Sequence, residues 1–324
     1  MGNNRATILE PKLAIIDAHH HLIGSDSHSY TLEDYQKDCA DGHKIVGSVY
    51  IEVRQRYYNE GPSFLRPIGE TEFVAGLYDT IASGGQNLCQ GIIGYADLEL
   101  GQKIGDALDA HIEAGKGKFK GIRRGLYWSA DQAVYDHVSI RPRAELMLDP
   151  NFRSGFAQLQ PRGLTFDAVL FHPQLTELAN LAKSFPDTII VLNHVGFKLG
   201  VGTYLNDREQ VFKEWRNGLK LVSNCPNVMV KIGGLGMKIW GFGVENNKED
   251  YQKLAGAWRE VIETGIELFG IDRCLFESNY PVDGATTTFN SLWNALKFIT
   301  RNYSNDEKEK LYFGNTNRVY GLGL

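Results

Sequence analysis

The chain has 324 residues and a formal net charge of −5, from 34 Lys and Arg against 39 Asp and Glu. Its hydrophobic content of 43% is ordinary for a soluble globular protein. No basic run indicates a nucleic-acid partner, and no apolar stretch reaches the length of a membrane span. The four cysteines form no C-x-x-C pair, which argues against a zinc ribbon and fits a reducing compartment, so we expect a cytoplasmic protein.

Eight short apolar runs alternate along the chain with segments of helical pattern. They span residues 13–21, 44–53, 89–98, 120–128, 165–172, 188–196, 227–236 and 273–281. Continuous apolar runs are typical of parallel strands covered on both faces, and eight such units favour a closed (β/α)8 TIM barrel over an open sheet. We expect one domain over residues 1–324, with residues 1–11 as a flexible N-terminal tail and a helical segment over 304–321.

Three connecting segments are candidates for setting specificity. Residues 54–71 and 129–154 form long loops, and residues 233–243 are rich in glycine and carry Trp240 and Phe242. Long loops in a compact domain are usually functional or disordered, and loops are where a barrel changes its specificity.

Polar residues follow the apolar runs, and in barrel enzymes the active site lies at the carboxyl ends of the strands. In chain order these residues are His19, His20, His21, Glu52, Arg54, Asp97, Arg123, Arg124, Tyr127, His172, Asn193, His194, Lys231, Glu277 and Asn279. A single histidine at a strand end is more often a hydrogen-bonded structural residue than a ligand. The accumulation of four, His19, His21, His172 and His194, favours a shared site.

The three consecutive histidines at the end of the first run are not equivalent. Side chains at i and i+2 of a strand share a face, so we expect His19 and His21 to point together into the barrel mouth and His20 to pack outside it. Imidazole is a good ligand for Zn²⁺ and similar ions.

The chain resembles the amidohydrolase superfamily, closest to the branch called amidohydrolase 2. This branch includes sugar-lactone and 2-pyrone-4,6-dicarboxylate lactonases and, more distantly, aromatic-acid decarboxylases. The motifs that carry the resemblance cover almost the whole chain: "IDAHHHL", "LRPIGETEFV", "GIRRGLYW", "LTFDAVLFHPQL", "VLNHVG", "VKIGGLG", "LFESNYPVD" and "YFGNTNRVYGL". The resemblance implies a (β/α)8 barrel and a pair of residues, His19 and His21, that binds a metal or the substrate. It also implies that His194, in the sixth apolar run, is the family's histidine of the sixth barrel strand.

Further site roles also follow from the resemblance. His172 lies near the position of the strand 5 histidine, and Arg123 or Arg124 resembles an arginine that holds a carboxylate or the lactone oxygen. A metal, Zn²⁺ or a similar divalent ion, would be held by His19, His21 and His194. No organic cofactor is implied.

The sequence departs from the superfamily at strand 8, where a metal-binding, water-activating aspartate is usual and Asn279 stands instead. Asn193 likewise stands where the lactonase branch often has aspartate. Because asparagine cannot act as a carboxylate base, metal binding stays open and either His172 or Glu277 is the candidate base. An alternative for Glu277 is a salt bridge to Arg123 or Lys231. The candidate substrate-binding residues are Glu52, Arg54, Arg123, Arg124, Tyr127 and Lys231.

Three functions remain open on this basis. The leading hypothesis is hydrolysis of a small cyclic ester or related carbonyl compound, with cationic or histidine donors stabilising the oxyanion. A metal-dependent non-oxidative decarboxylase is the second, although Asn279 argues against it, and a non-catalytic ligand-binding barrel is the third. We expect a small-molecule partner, a lactone or carboxylate, no nucleic acid or membrane, and association into a homo-oligomer as in related barrels.

Overall fold

A computed structural model of the chain describes residues 7–25, 28–78, 87–138 and 140–324. Its strands are β1 Ala14–His20, β2 Ile23–Ser25, β3 His28–Tyr30, β4 Lys44–Ile51, β5 Gly91–Gly94, β6 Phe119–Gly125, β7 Thr165–Val169, β8 Ile190–Leu192, β9 Val228–Ile232 and β10 Cys274–Phe276. β2 and β3 form an antiparallel pair that the sequence pattern did not predict.

The other eight strands form one parallel sheet in the order β1-β4-β5-β6-β7-β8-β9-β10. The sheet closes on itself where the main-chain N–H of Asn279 donates to the carbonyl of His19 at 2.8 Å and that of His21 donates to the carbonyl of Tyr280 at 2.7 Å. The predicted single-domain TIM-type α/β barrel is therefore confirmed, with each of the eight predicted runs overlapping one barrel strand.

Helices follow the strands around the outside of the barrel. They are α1 Leu32–Cys39, α2 Ile68–Gly76, α3 Gly105–Ala114, α4 Pro150–Phe156, α5 Leu175–Ser184, α6 Arg208–Ser223, α7 Tyr251–Phe269, α8 Phe289–Ile299, α9 Asn305–Glu309 and α10 Asn315–Tyr320. α7 shows why these segments are helical, because the Asp250 side chain accepts from the N–H groups of Gln252 and Lys253 at its start. Leu254, Trp258 and Ile262 recur at four-residue spacing and are buried against the strands.

The barrel interior has its own apolar core, formed by inward-facing strand residues such as Val49, Ile93 and Met229. Val319 and Tyr320 of α10 pack into this core. Gly47 lies so near the chain end that a Cβ there would be 2.4 Å from a Leu324 methyl carbon. The C-terminal segment therefore fills the end of the barrel opposite the mouth.

The N-terminal segment is bonded to the helical layer where the structure describes it. The Leu9 N–H donates to the Asn294 side chain at 2.8 Å, and Lys308 pairs with Glu10 at 3.0 Å. Residues 1–6 of the predicted tail lie outside the described residues. Among the residues that are described, no helix has both the length and the apolar character needed to cross a membrane.

Candidate functional site

The end of β1, where three histidines follow one another, carries a β-bulge. Asp17 pairs with Ser48 and His20 with Tyr50, so β1 contains one more residue than β4 over this step. The Nε2 atoms of His19 and His21 meet at 3.1 Å inside the barrel. The His20 ring points the other way and stacks on Tyr35, with ring centroids 3.9 Å apart, as the alternation of side chains predicts.

Asp17 ties the first and last strands together beneath the site. Its Oδ1 accepts from the N–H groups of His19 at 3.2 Å and Ser278 at 2.8 Å. Its Oδ2 accepts from the hydroxyls of Ser278 at 2.6 Å and Tyr35 at 2.9 Å. Burial raises the pKa of Asp17 to about 6 despite these donors. Because it binds both strand ends, this carboxyl group fixes the position of His19 relative to Glu277, which precedes Ser278.

Glu277 is fully buried and lies between two imidazoles. Its Oε1 accepts from Nδ1–H of His194 at 2.7 Å, and its Oε2 lies 2.9 Å from Nδ1 of His19. Two glycines make room for this arrangement. A Cβ at Gly233 would lie 2.2 Å from Cγ of Glu277, and a Cβ at Gly234 would lie 2.2 Å from Nδ1 of His194.

Counting protons shows that one ring nitrogen of the imidazole cluster carries no hydrogen towards Glu277. His21 donates its Nδ1–H to the Ile51 carbonyl at 2.7 Å, so its Nε2 offers a lone pair to Nε2 of His19. A neutral His19 that donates there has no proton left on Nδ1, which faces Glu277. Among the residues that the structure describes, Nδ1 of His19 and Oε2 of Glu277 accordingly have no hydrogen-bond partner, although they lie 2.9 Å apart.

A second proton on His19 is disfavoured. Burial, reinforced by the nearby Lys231 ammonium, holds the pKa of His19 well below its usual range. Burial, with the Arg123 guanidinium, does the same to the pKa of His21. Nδ1 of His19 and Oε2 of Glu277 therefore face each other without a proton between them, and a cation of another kind could be held there.

Above the cluster a cleft of about 330 Å³ opens at the carboxyl ends of the strands, within the range of about 300–1,000 Å³ that is usual for ligand pockets. Its polar lining consists of His21, Glu52, Arg54, Gln55, Arg123, Tyr127, His137, His194 and Asn279. Each of the three connecting segments predicted to set specificity contributes to the walls of the cleft. Residues 54–71 contribute through Arg54 and Gln55, residues 129–154 through His137, and residues 233–243 through Met237.

Arg123 is aimed across the floor of the cleft by Glu52. Its Nε donates to Oε1 of Glu52 at 2.9 Å, and its Nη2 donates to the Glu52 carbonyl oxygen. This leaves Nη1 at 3.5 Å from Nε2 of His19. The guanidinium is thus held in one orientation beside the histidine pair.

Three other predicted site residues do not line this cleft. Arg124, on the opposite face of β6, donates to the Tyr95 hydroxyl and to Glu99. Lys231 is buried in the barrel interior, paired with Asp167 at 2.7 Å. His172 accepts from the Leu199 N–H and lines a separate cleft on the outside of the barrel. A strand end sends side chains to both faces, so proximity to the mouth in sequence does not guarantee that a residue reaches it.

A model of the family described as Amidohydrolase matches residues 16–322. The chain belongs to the amidohydrolase family. The uncharacterized protein y4mH of Sinorhizobium fredii is 32% identical over 292 residues, which cover 90% of this chain and 86% of that protein. The L-fucono-1,5-lactonase of Burkholderia multivorans is 23% identical over 234 residues, which cover 71% of each protein.

A solved structure agrees with the fold of this amidohydrolase. The crystal structure of an amidohydrolase from Burkholderia multivorans with bound zinc superposes with a TM-score of 0.70 at 18% identity. The match covers 95% of this chain and 99% of that one. The likeness establishes the TIM-type barrel over nearly the full length.

In this amidohydrolase the acidic side chain of the buried cluster is Glu277, and position 279 is an asparagine. Asn279 lines the cleft, and its Nδ2 donates to Oδ1 of the buried Asp283 at 2.8 Å. Asn193 turns to the barrel interior instead, where its Nδ2 donates to Asp167 at 2.9 Å. The buried acidic residue of this strand end thus lies two residues before Asn279.

The donor set of the cluster suits a divalent cation. His19, His194 and Glu277 each offer a ligand atom, and these atoms lie within 4.8 Å of one another. Two imidazoles and a carboxylate are a ligand type that zinc and similar ions accept. The sequence named His21 as the third candidate ligand, whereas Glu277 completes this group of three.

Sequence reasoning missed Asp17 and Glu70. Glu70 is buried, and its Oε1 accepts from the Tyr50 hydroxyl and the Val53 N–H, both at 2.8 Å, which anchors the start of the loop that carries Arg54. Burial and the neighbouring Glu52 raise the pKa of Glu70. An acidic residue inside an apolar run, as in "IIDAHHH", was the available signal for Asp17, because a buried carboxyl group needs donors.

Proposed function

We propose that this amidohydrolase opens small cyclic esters by adding water to the ring carbonyl. The observation that carries the proposal is the buried Glu277 carboxylate between His19 and His194, of which His194 lines the cleft. Such an arrangement orients an imidazole and stabilises the proton that it takes up during a hydrolysis. The lactonase among the relatives, at 23% identity, supports an ester ring as the substrate.

His194 is the proposed general base. Its Nδ1–H is engaged with Glu277, so Nε2 is left to accept a proton, and the side chain lines the cleft. Glu277 fixes the tautomer in which Nε2 has the free lone pair. His194 then returns the proton to the ring oxygen as the carbon–oxygen bond breaks, which yields a hydroxy acid.

Arg123 is the proposed donor to the oxyanion. Its Nη1 lies over the histidine pair, and Glu52 holds the guanidinium in that position before substrate enters. A preoriented cationic donor in a partly buried cleft stabilises the charge that develops on the carbonyl oxygen.

A divalent ion at the cluster would be held by His19, His194 and Glu277. The role of His194 as base would then pass to the ion, because an imidazole that binds a metal has no lone pair left to accept a proton. When bound, such an ion polarises the ester carbonyl and lowers the pKa of water. The chain itself orients these three ligands. Asp17 fixes the end of β1, and Gly233 and Gly234, which follow β9, leave space for Glu277 and His194.

The test is ring opening of a panel of sugar lactones, γ-lactones and pyrones by the wild-type protein, with and without added Zn²⁺. In Glu277→Gln, kcat on any active lactone should fall by about 100-fold or more, because His194 loses its carboxylate partner. Metal analysis after incubation with Zn²⁺ and dialysis should show less zinc retained by this variant than by wild type.

Glu214→Gln is the matched control, since Glu214 faces His172 outside the cleft at 4.0 Å. It should leave kcat and zinc content unchanged. An inactive wild-type protein across the whole panel would refute lactone hydrolysis, and full activity of Glu277→Gln would refute the role of the carboxylate.

A further inference from the structure

The charges on the wall of the cleft do not cancel. Its formally charged lining residues in the described part of the chain are Glu52, Arg54 and Arg123. Glu52 and Arg123 neutralise each other through their 2.9 Å ion pair. Arg54 forms no ion pair with any residue that the structure describes, which leaves one uncompensated cation on the wall.

Arg54 is held by an aromatic ring instead. Its guanidinium carbon lies 4.8 Å from the centroid of the Tyr95 ring. Tyr95 is itself fixed, because its hydroxyl accepts from Arg124 at 3.0 Å and Arg124 is paired with Glu99 at 2.8 Å. Stacking engages the face of a guanidinium and leaves its N–H edges free to bind a carboxylate with two parallel hydrogen bonds.

The backbone conformation of Arg54 is also typical of a residue at a ligand-binding site. Its φ of 60° is in the left-handed region, which non-glycine residues adopt at a cost and which recurs at ligand sites. The preceding residue is secured by the Val53 N–H, which donates to Glu70 at 2.8 Å. The side chain is therefore projected from a fixed point on the wall.

We propose that Arg54 selects substrates that carry a carboxylate on the ring, which deepens and rests on the proposed lactone hydrolysis. The resemblance placed carboxylate binding at Arg123 or Arg124, but both guanidiniums are already bound to carboxylates of the chain, Glu52 and Glu99. A ring acid is thus turned with its carboxylate to Arg54 and its carbonyl to Arg123 and His194.

Arg56 provides a matched control two residues away. Its φ is 57°, and its guanidinium carbon lies 4.8 Å from the Phe73 ring centroid. It lines a neighbouring cavity with Leu22 and Tyr30 rather than the cleft of the candidate site. Arg56→Gln therefore removes the same charge and the same type of stacking from outside the site.

The test compares paraconate, a γ-lactone with a ring carboxylate, with its neutral methyl ester, following ring opening by NMR. Wild type should prefer paraconate, and Arg54→Gln should raise its KM about tenfold or more with kcat little changed, since one charge-assisted contact is lost. The KM for methyl paraconate should stay within about twofold in Arg54→Gln, and Arg56→Gln should leave both substrates unaffected. Equal preference in wild type, or an equal loss on both substrates, would overturn the proposal.

If wild type opens neither lactone, lactone hydrolysis fails separately from the role of Arg54. Calorimetric titration with oxocyclopentane carboxylate, a ring acid that cannot be opened, then tests whether Arg54 binds the carboxylate of a ring acid. Binding that is lost in Arg54→Gln and kept in Arg56→Gln supports selection of ring acids by Arg54. No binding to wild type, or equal binding to all three proteins, overturns it.

Discussion

Asp283 is a buried acid whose effect on the free energy of unfolding depends on pH. It is fully buried and accepts from the Gly236 N–H and from Nδ2 of Asn279, both at 2.8 Å. Burial nevertheless dominates and raises the pKa of Asp283 from 3.8 to about 8. The folded protein therefore keeps this proton at a pH where the unfolded chain has released it.

The free energy of unfolding of wild type should decrease as the pH rises from about 5 to about 8, because the folded state binds the additional proton throughout this window. Asp283→Asn has no proton to lose there, so its stability should decline less over the same window. Urea denaturation at a series of pH values measures both curves, and other titrating groups contribute equally to each. Parallel curves for the two proteins would contradict the raised pKa.

The ends of β1 and β10 act as one unit because Ser278 joins them. Its hydroxyl donates to Asp17 at 2.6 Å and accepts from the Tyr280 N–H at 3.1 Å. His19 and Glu277 flank this connection, so the geometry of the candidate site depends on it. The barrel is closed at the same point by the backbone bonds between these strand ends.

Ser278→Ala should lower the free energy of unfolding by about 1–3 kcal/mol, because a buried N–H and a buried carboxyl oxygen lose a partner. Ser184→Ala removes a hydroxyl that donates to the Asn180 carbonyl on the exposed end of α5, and should change stability by no more than about 0.5 kcal/mol. Urea denaturation of the three proteins provides the comparison. Similar small losses in both variants would show that the strand ends hold together without Ser278.

The whole molecule is linked through the barrel from its C-terminus to its mouth. The Tyr320 hydroxyl reaches both oxygens of Asp167, at 3.0 and 3.1 Å. Asp167 in turn binds Lys231 at 2.7 Å and Asn193 at 2.9 Å, and all four side chains lie in the interior. Lys231 contributes to the low pKa of His19, so the far end of the chain affects the electrostatics of the site.

Tyr320→Phe should cost about 1–3 kcal/mol of stability, because a buried carboxylate loses a donor. Tyr58→Phe is the matched control, since its hydroxyl donates to Glu72 at 2.7 Å on the exposed surface, and it should cost about 0.5 kcal/mol or less. Thermal and urea unfolding measure both. Equal losses would mean that the interior position of the Asp167 bond has no energetic effect.

Local sequence pattern predicted those site features that depend on a single strand. The orientations of His19, His20 and His21 follow from alternation, and Arg54 and Arg123 follow strands that end at the mouth. The same reasoning placed His172 and Lys231 at the mouth, where they do not lie. A strand end bends out of the sheet within one or two residues, and pattern alone does not specify that bend.

The sequence by itself determined the barrel, because apolar periodicity is a property of each strand and helix separately and eight repeats leave few ways to bury them. Only the tertiary structure decided which carboxylate meets which imidazole. Glu277 is 258 positions from His19 in the chain, and their contact at 2.9 Å depends on closure of the barrel and on the space left by Gly233. The tertiary structure also decided the role proposed for Arg54. Only the structure shows that Arg123 and Arg124 are already paired with Glu52 and Glu99, which leaves Arg54 as the unpaired cation of the cleft wall among the described residues.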